Sequence, residues 1–473
     1  MSIDSLAAGT SGGQGRSAPA VDLLVRTADA GDTYVTWRWL DDAATPYAAR
    51  LSATALTAGL DQLAHALITP MDGEDAETAV SRGLTDGAFA NRASERALAE
   101  ELAAAVLPGP LVEQLLARTN SGLRIRLRLT PSPQLARIPW ETLAISGDQR
   151  LVDVVDIIHD PPATVHSARN AQVRPWGELR TYPPLFIIDP KIPGRVTEHG
   201  LKPTLPVGDW RVMRDRIRKY ENTDGADGRT NRTMPGTMMT RGALSTRLRT
   251  TRSRLFYFGH VSATPDEPGT ASLHLSDTAA TWGMAEPMRR SRLGPEGMPV
   301  PATSDDHRPL SALDLMLGTT MTTDRNVWKY YGADTAQAGS EIWPMPPRVA
   351  IIACEGGVDY RSSETFGLVM ATLDAGAELV TTTRWTLPTD GGIRQRYPHL
   401  SRDVHPTVEV ALAVDHAHTL DDPIAYLTEW QRGQLQLWRE TGGIQYSPLL
   451  WASLTHTYAP ARREQEPDDD HNP

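Results

Sequence analysis

One cysteine, Cys354, occurs in the 473 residues of the chain. That scarcity excludes an internal disulfide and any zinc site built on paired cysteines, and it fits a reducing compartment, the cytoplasm by default. Also missing is any apolar run of about 18 residues, so no membrane-spanning segment is expected. There is no basic excess either: the net charge is −11 and Lys and Arg are dispersed among acids, which argues against nucleic acid as the main partner. The one basic cluster, Arg211, Arg214, Arg216, Arg218 and Lys219, shares an expected helix with Asp215 and Glu221 and reads as a solvated face. No internal repeat is present. Residues 1–20 have neither a basic n-region nor an apolar core, so they read as a disordered leader rather than a signal peptide, and residues 463–473 as an acidic disordered tail.

What is present is an ordinary globular composition, 40% apolar and 22% charged, on a chain long enough for a large core. Residues 21–54 alternate weakly and predict two or three short strands, and the Ala/Leu/Glu-rich stretch Leu56 to Leu116 predicts two or three helices, with Pro108-Gly109-Pro110 separating the last two. Residues 21–120 thus form an N-terminal α+β region, a candidate regulatory or partner-binding unit. Leu123 to Leu129 alternates strictly, with one face apolar and one face arginine, and a further strand is expected from Leu151 to Ile158.

From Leu185 onward the order is strand (Leu185 to Ile188), helix (Asp209 to Tyr220), helix (Arg241 to Arg252), strand (Leu255 to Phe258) and a short strand near Ser272 to Leu275. A strand before Cys354 follows, then a helix (Glu364 to Ala375), a strand (Glu378 to Thr383) and two C-terminal helices. Strands alternating with helices indicate an α/β fold with a mainly parallel sheet flanked by helices. Residues 278–346 carry little periodicity beyond a helix at Leu310 to Leu317, and a stretch that long and irregular reads as an insertion: a lid, a self-cleavage site, a docking element or decoration without a role.

Two strands carry the chemistry. Arg348 to Ala353 delivers Cys354 at its C-terminal end, followed by Glu355-Gly356-Gly357, and Leu255 to Phe258 delivers His260 after Gly259. Ligands in open α/β sheets bind at the carboxyl ends of parallel strands, so these two strands lying side by side would bring His260 and Cys354 together. An imidazole beside a thiol raises its thiolate fraction and can protonate a leaving amine, while glycines behind the thiol leave backbone N–H groups free for an oxyanion.

The motifs Phe256-Tyr257-Phe258-Gly259-His260 and Ile352-Ala353-Cys354-Glu355-Gly356-Gly357 resemble the two catalytic motifs of the CHAT-domain family of caspase-like cysteine peptidases. Three further landmarks stand in the same order: Ile138-Pro139-Trp140-Glu141-Thr142-Leu143, the helix with Gly367 before Ala375-Gly376-Ala377, and Pro448-Leu449-Leu450-Trp451-Ala452. The resemblance covers roughly residues 120 to 460. It implies a caspase/hemoglobinase-like fold, a peptidase domain over 121–462 and a His–Cys dyad in which Cys354 is the nucleophile and His260 the general acid/base. The oxyanion turn would involve Gly259, Val261 and Gly356. It also implies a protein or peptide substrate and an activating or sensor protein on a separate chain. Val261 stands where family members have glycine, and His260 and Cys354 are 94 positions apart, against about 50 in the caspase pattern.

Candidates for the pocket that receives the residue before the cut are Asp189, Glu355, Asp359, Arg384 and Trp385. Acids there would favour Arg or Lys; Arg384 would instead select an acid. Trp140-Glu141 reads first as packing. No cofactor is expected, since Gly9 to Gly15 follows no strand and lacks lysine, and no metal, since His416 and His418 lie two apart on a helix and face different ways. The leading reading of function is a gated intracellular cysteine endopeptidase; the alternatives are a catalytically inactive scaffold that binds a partner through the same groove and, more weakly, an acyltransferase or hydrolase that uses the same dyad on a non-peptide substrate.

Overall fold

The computed structural model describes residues 20–167, 169, 173–194, 203–205, 209–221, 236–263, 269–288, 303–353 and 365–460. Its first strands are β1 (Ala20–Ala30), β2 (Asp32–Trp39) and β3 (Tyr47–Leu51), in agreement with the weak alternation of this region. Then come four helices where two or three were expected: α1 (Ala53–Ala66), α2 (Ala76–Thr85), α3 (Arg92–Val106) and α4 (Gly109–Asn120). The extra helix arises because Asp75 caps the Thr78 amide, which starts α2 separately from α1. Pro108 divides α3 from α4, as its missing N–H and fixed φ require.

β4 (Arg124–Thr130) has the burial alternation that its sequence demands, and its arginine face meets acids: Arg124 pairs with Asp156 at 2.5 Å and Arg128 with Asp160 at 3.0 Å. The strand expected from Leu151 is shorter: Leu151–Val154 makes one helical turn and β5 covers Val155–His159. Among the elements that follow are β6 (Leu185–Ile188), α5 (Trp210–Glu221), α6 (Arg241–Leu248), β7 (Arg254–Gly259), α7 (Ala312–Leu317), β8 (Arg348–Ala353), α8 (Thr365–Asp374), β9 (Leu379–Thr383), α9 (Asp390–Arg396), α10 (Pro406–Ala417), α11 (Pro423–Thr441) and β10 (Leu454–Tyr458).

The ten strands form one sheet in the order β3-β2-β1-β4-β5-β10-β9-β8-β7-β6. Only the β1/β2, β2/β3 and β9/β10 pairs are antiparallel. The mainly parallel sheet flanked by helices is the expected fold class. The first three strands continue it through the parallel β1/β4 pair, so the N-terminal strands and the strands carrying the candidate site share one sheet.

Helices on both faces bury the strands on both sides. That is why β6, β7 and β8 read as continuous apolar runs rather than alternating ones. One core lies on the face holding Phe256, Phe258 and Ile352, and a second on the face holding Tyr257, Ile351 and α8. Residues of the insertion belong to the second: Leu310, Leu315, Ile342 and Trp343 are buried there. Arg241, at the start of α6, donates to the carbonyls of Trp282 and Pro309, and Trp343 Nε1 donates to the Arg241 carbonyl. The described parts of the insertion are therefore packed structure, with α7 inside the expected helix.

The basic cluster on α5 is only partly solvated. Arg216 Nε donates to the buried Asp415 carboxylate of α10 at 2.6 Å, whereas Arg211 is exposed.

Candidate functional site at the ends of β7 and β8

Two buried arginines hold the starts of β7 and β8. Arg254 reaches Asp415 through two nitrogens, at 3.1 and 2.9 Å. Arg348 donates to the His418 carbonyl at 3.0 Å and lies 3.7 Å from the Trp176 ring centroid, and burial lowers its pKa to about 10. With the strand starts fixed, the parallel register runs without a break from Arg348 opposite Arg254 to Ala353 opposite Gly259. The expectation that the two strands lie side by side is met. His260 is the next residue after β7, and position 354 the next after β8.

Around His260 the chain is tightly constrained. It is 3% exposed. Its carbonyl accepts a 2.6 Å hydrogen bond from the Tyr257 hydroxyl and one of 3.2 Å from the His274 amide, and Tyr257 also reaches the His274 carbonyl at 3.1 Å. Gly259 leaves room for this arrangement: a Cβ there would stand 3.0 Å from the Tyr257 oxygen and 3.1 Å from its Cζ, so the ring would have to shift by a few tenths of an ångström. Val261 opens a two-residue strand paired with Ser272–Leu273, which pairs in turn with Leu310–Ser311. A β-branched residue suits that extended backbone, which accounts for valine at this position.

The return of the chain through this small sheet brings two more histidines to the site, neither foreseen from sequence. The His274 ring meets His260 edge-on at 6.2 Å between centroids, and the His307 ring lies 5.0 Å from His274. His274 Nε2 bonds Ser262 Oγ at 2.8 Å, and His307 Nδ1 lies 3.0 Å from the Asp277 carbonyl. No sequence signal marks them, because their proximity depends on how the insertion folds back.

The expected pocket residues behave differently from one another. Asp189 follows β6 on the same sheet edge. It adopts φ 43°, donates its amide to the Phe258 carbonyl, and its carboxylate accepts from the amides of Thr204 and Leu205 at 3.1 and 3.3 Å. Arg384 follows β9 but turns away from an open pocket role: both arms of its guanidinium hold the Glu141 carboxylate, at 2.5 and 2.8 Å, and one also donates to the Ala452 carbonyl. Trp385 is core; it stacks on Phe89 at 6.1 Å and donates to the Leu449 carbonyl. The two terminal nitrogens of Arg384 and the indole nitrogen of Trp385 have partners inside the protein, which explains the difference from expectation. Cys354, Glu355, Gly356 and Asp359 lie outside the described residues.

The reading of Trp140-Glu141 as packing holds, with Trp140 fully buried and Glu141 paired to Arg384. His416 and His418 diverge: the first packs edge-on against Tyr426 and the second reaches Thr381 Oγ1 at 2.8 Å. Among the described residues, one group, Asp209, Asp390 and His405, brings ligand-type atoms within 4.8 Å of one another. A guanidinium already serves it. Arg394 bonds the Asp209 carboxylate and lies 3.2 Å from His405 Nδ1. Burial, with Asp209 adding to it, pushes the Asp390 carboxyl up to about 6.

Among the described residues, no helix is long and apolar enough to cross a membrane. The family model described as CHAT domain matches residues 96–458, beginning inside α3 and ending at the last residue of β10. No curated protein matches the chain. Among solved structures, the Saccharomyces cerevisiae separase–securin complex is similar with a TM-score of 0.43 and 9% identity, over 93% of this chain and 30% of that one. The chain thus spans under a third of the length of that neighbour.

Proposed function

From the membership of this chain in the CHAT-domain family, which is caspase-like, we propose that it is a gated cysteine endopeptidase acting in the cytoplasm through a His260–Cys354 dyad. The observation that carries the reading is the register of β7 and β8: Ala353 is paired with Gly259, and Cys354 is one Cα step, about 3.8 Å, beyond Ala353.

In the proposed reaction the Cys354 thiolate attacks the peptide carbonyl carbon, and backbone N–H groups at Cys354 and beside His260 receive the oxyanion. His260 gives its proton to the amine as the C–N bond breaks. Water then attacks the acyl-enzyme with His260 as base, releasing the carboxylate product and restoring the thiol. Because Arg384 is held by Glu141, the cation that would have selected an acidic residue is withdrawn. Asp189, Glu355 and Asp359 remain as candidates, and the preferred residue before the cut is Arg or Lys.

The deep burial of His260 favours a gate. Residues 21–120 or the insertion supply it, and an activating or sensor protein opens it. Val261 and the same burial also favour a second reading, an inactive scaffold that binds a partner through the groove.

The test is a survey of new protein N-termini in a cell lysate incubated with the purified chain or with Cys354→Ala. Cuts found only with the intact chain and sharing a basic residue before the scissile bond are expected. Identical profiles for the two proteins, with every plausible activator supplied, would overturn the peptidase reading.

A further inference from the structure

A small cavity with a few polar groups lies away from the paired ends of β7 and β8. It is formed on the sheet by β5, β10 and β9, with Val369 of α8 on one side and the turn after β4 on the other, and has a volume of about 40 Å³. At about 10 to 15 Å³ per water, that is room for a few waters or for one small ion. We propose that it is a binding site for a small carboxylate, with the Arg137 guanidinium taking the charge and a His159 ring N–H donating a hydrogen bond.

Two observations point to a ligand. His159 is 7% exposed and lines the cavity, and beyond a weak interaction with the His456 backbone its ring nitrogens have no hydrogen-bond partner. Buried polar atoms are seldom left so. Burial first, and the charges of Arg384 and His456 next, hold this ring neutral against a weak opposite pull from the His456 backbone, so it has one N–H to donate. Arg137 also lines the cavity. It is half-buried, burial lowers its pKa, and no carboxylate or hydrogen-bond acceptor meets its guanidinium among the described residues.

The charge count selects the ligand. Asp160 at the rim is held by Arg128 at 3.0 Å, and Arg384 by Glu141 at 2.5 Å, so each of these pairs is neutral. One positive charge, that of Arg137, is left to be matched. A planar carboxylate fits a guanidinium fork through two parallel hydrogen bonds, and a doubly charged phosphate would carry one charge too many beside Asp160. Rim residues Pro131 and Ala136 are half-buried, which leaves an entrance.

Sodium acetate, titrated calorimetrically into the full chain at ionic strength held constant with sodium chloride, tests the proposal. Saturable binding with a dissociation constant on the order of 1 mM is expected. Arg137→Gln should weaken it at least tenfold while melting as the parent does in chloride alone. Ala136→Met, which narrows the entrance, should also weaken it and serves if Arg137→Gln does not fold. Absence of saturable acetate binding, or equal binding by these variants, would overturn the site. Tighter binding of inorganic phosphate than of acetate would overturn its assignment to a carboxylate.

Discussion

Replacing Glu141 by Gln isolates one buried charge, and the structure says what that costs. Arg384 and Glu141 side chains are 2% and 3% exposed, and both guanidinium arms hold the carboxylate, so the pair is desolvated and bidentate. Removing one partner of such a pair costs about 3–5 kcal/mol, because the other charge stays buried without its counter-ion. Gln keeps an amide oxygen for one arm and the Ala452 carbonyl keeps another contact at 2.8 Å, so the lower end, about 3 kcal/mol, is expected. Urea unfolding followed by tryptophan fluorescence reads this, since Trp140 and Trp385 adjoin the pair in sequence. Replacing both partners, as Glu141→Leu with Arg384→Met, removes both buried charges and should return to within about 1–2 kcal/mol of the parent. A Glu141→Gln cost below about 1 kcal/mol, or a double variant as unstable as the sum of its singles, would refute the reasoning.

Other predictions follow from the same geometry. Tyr257→Phe removes the donor to the His260 and His274 carbonyls. It should cost about 1–3 kcal/mol, read by urea unfolding. Stability should fall as pH drops below about 6.5, because burial holds His159 and His418 well below their usual range and His456 at about 3, so the unfolded chain takes up protons that the folded one refuses. Asp390 acts with the opposite sign. Its carboxyl, pushed up to about 6, gives stability that is present below the unfolded value near 4 and lost as pH rises through about 6. Asp390→Asn should therefore raise stability at pH 7–8 by about 3 kcal/mol, at 1.36 kcal/mol per pKa unit, and steepen the acid-side loss; unchanged urea midpoints across pH would contradict this.

How much of this was legible depended on where each element's polar groups find partners. β7 and β8 announce themselves because every residue is buried and nearly all are apolar. β10, Leu454 to Tyr458, is equally central yet was not expected. Polar side chains on it find partners across the sheet, Thr455 Oγ1 with Thr382 Oγ1 at 2.8 Å and His456 Nδ1 with Thr381 Oγ1 at 3.2 Å, so its hydropathy hides its burial. The histidine row beside His260 and the Arg384–Glu141 pair were illegible for a related reason. The ion pair joins residues 243 positions apart and the histidines meet through the pairing of three two-residue strands, and no local pattern encodes either meeting. The strand ends that lead to His260 and to position 354 were legible because each depends only on its own apolar run.

The central claim is that His260 and Cys354 act as a pair. With one cysteine in the chain, the alkylation rate of Cys354 by iodoacetamide, followed against pH by mass spectrometry, reports on it without ambiguity. The account predicts a thiol that titrates below the ordinary value of about 8.5, and a profile that His260→Gln moves back toward that value. Superimposable profiles for the two proteins would contradict it.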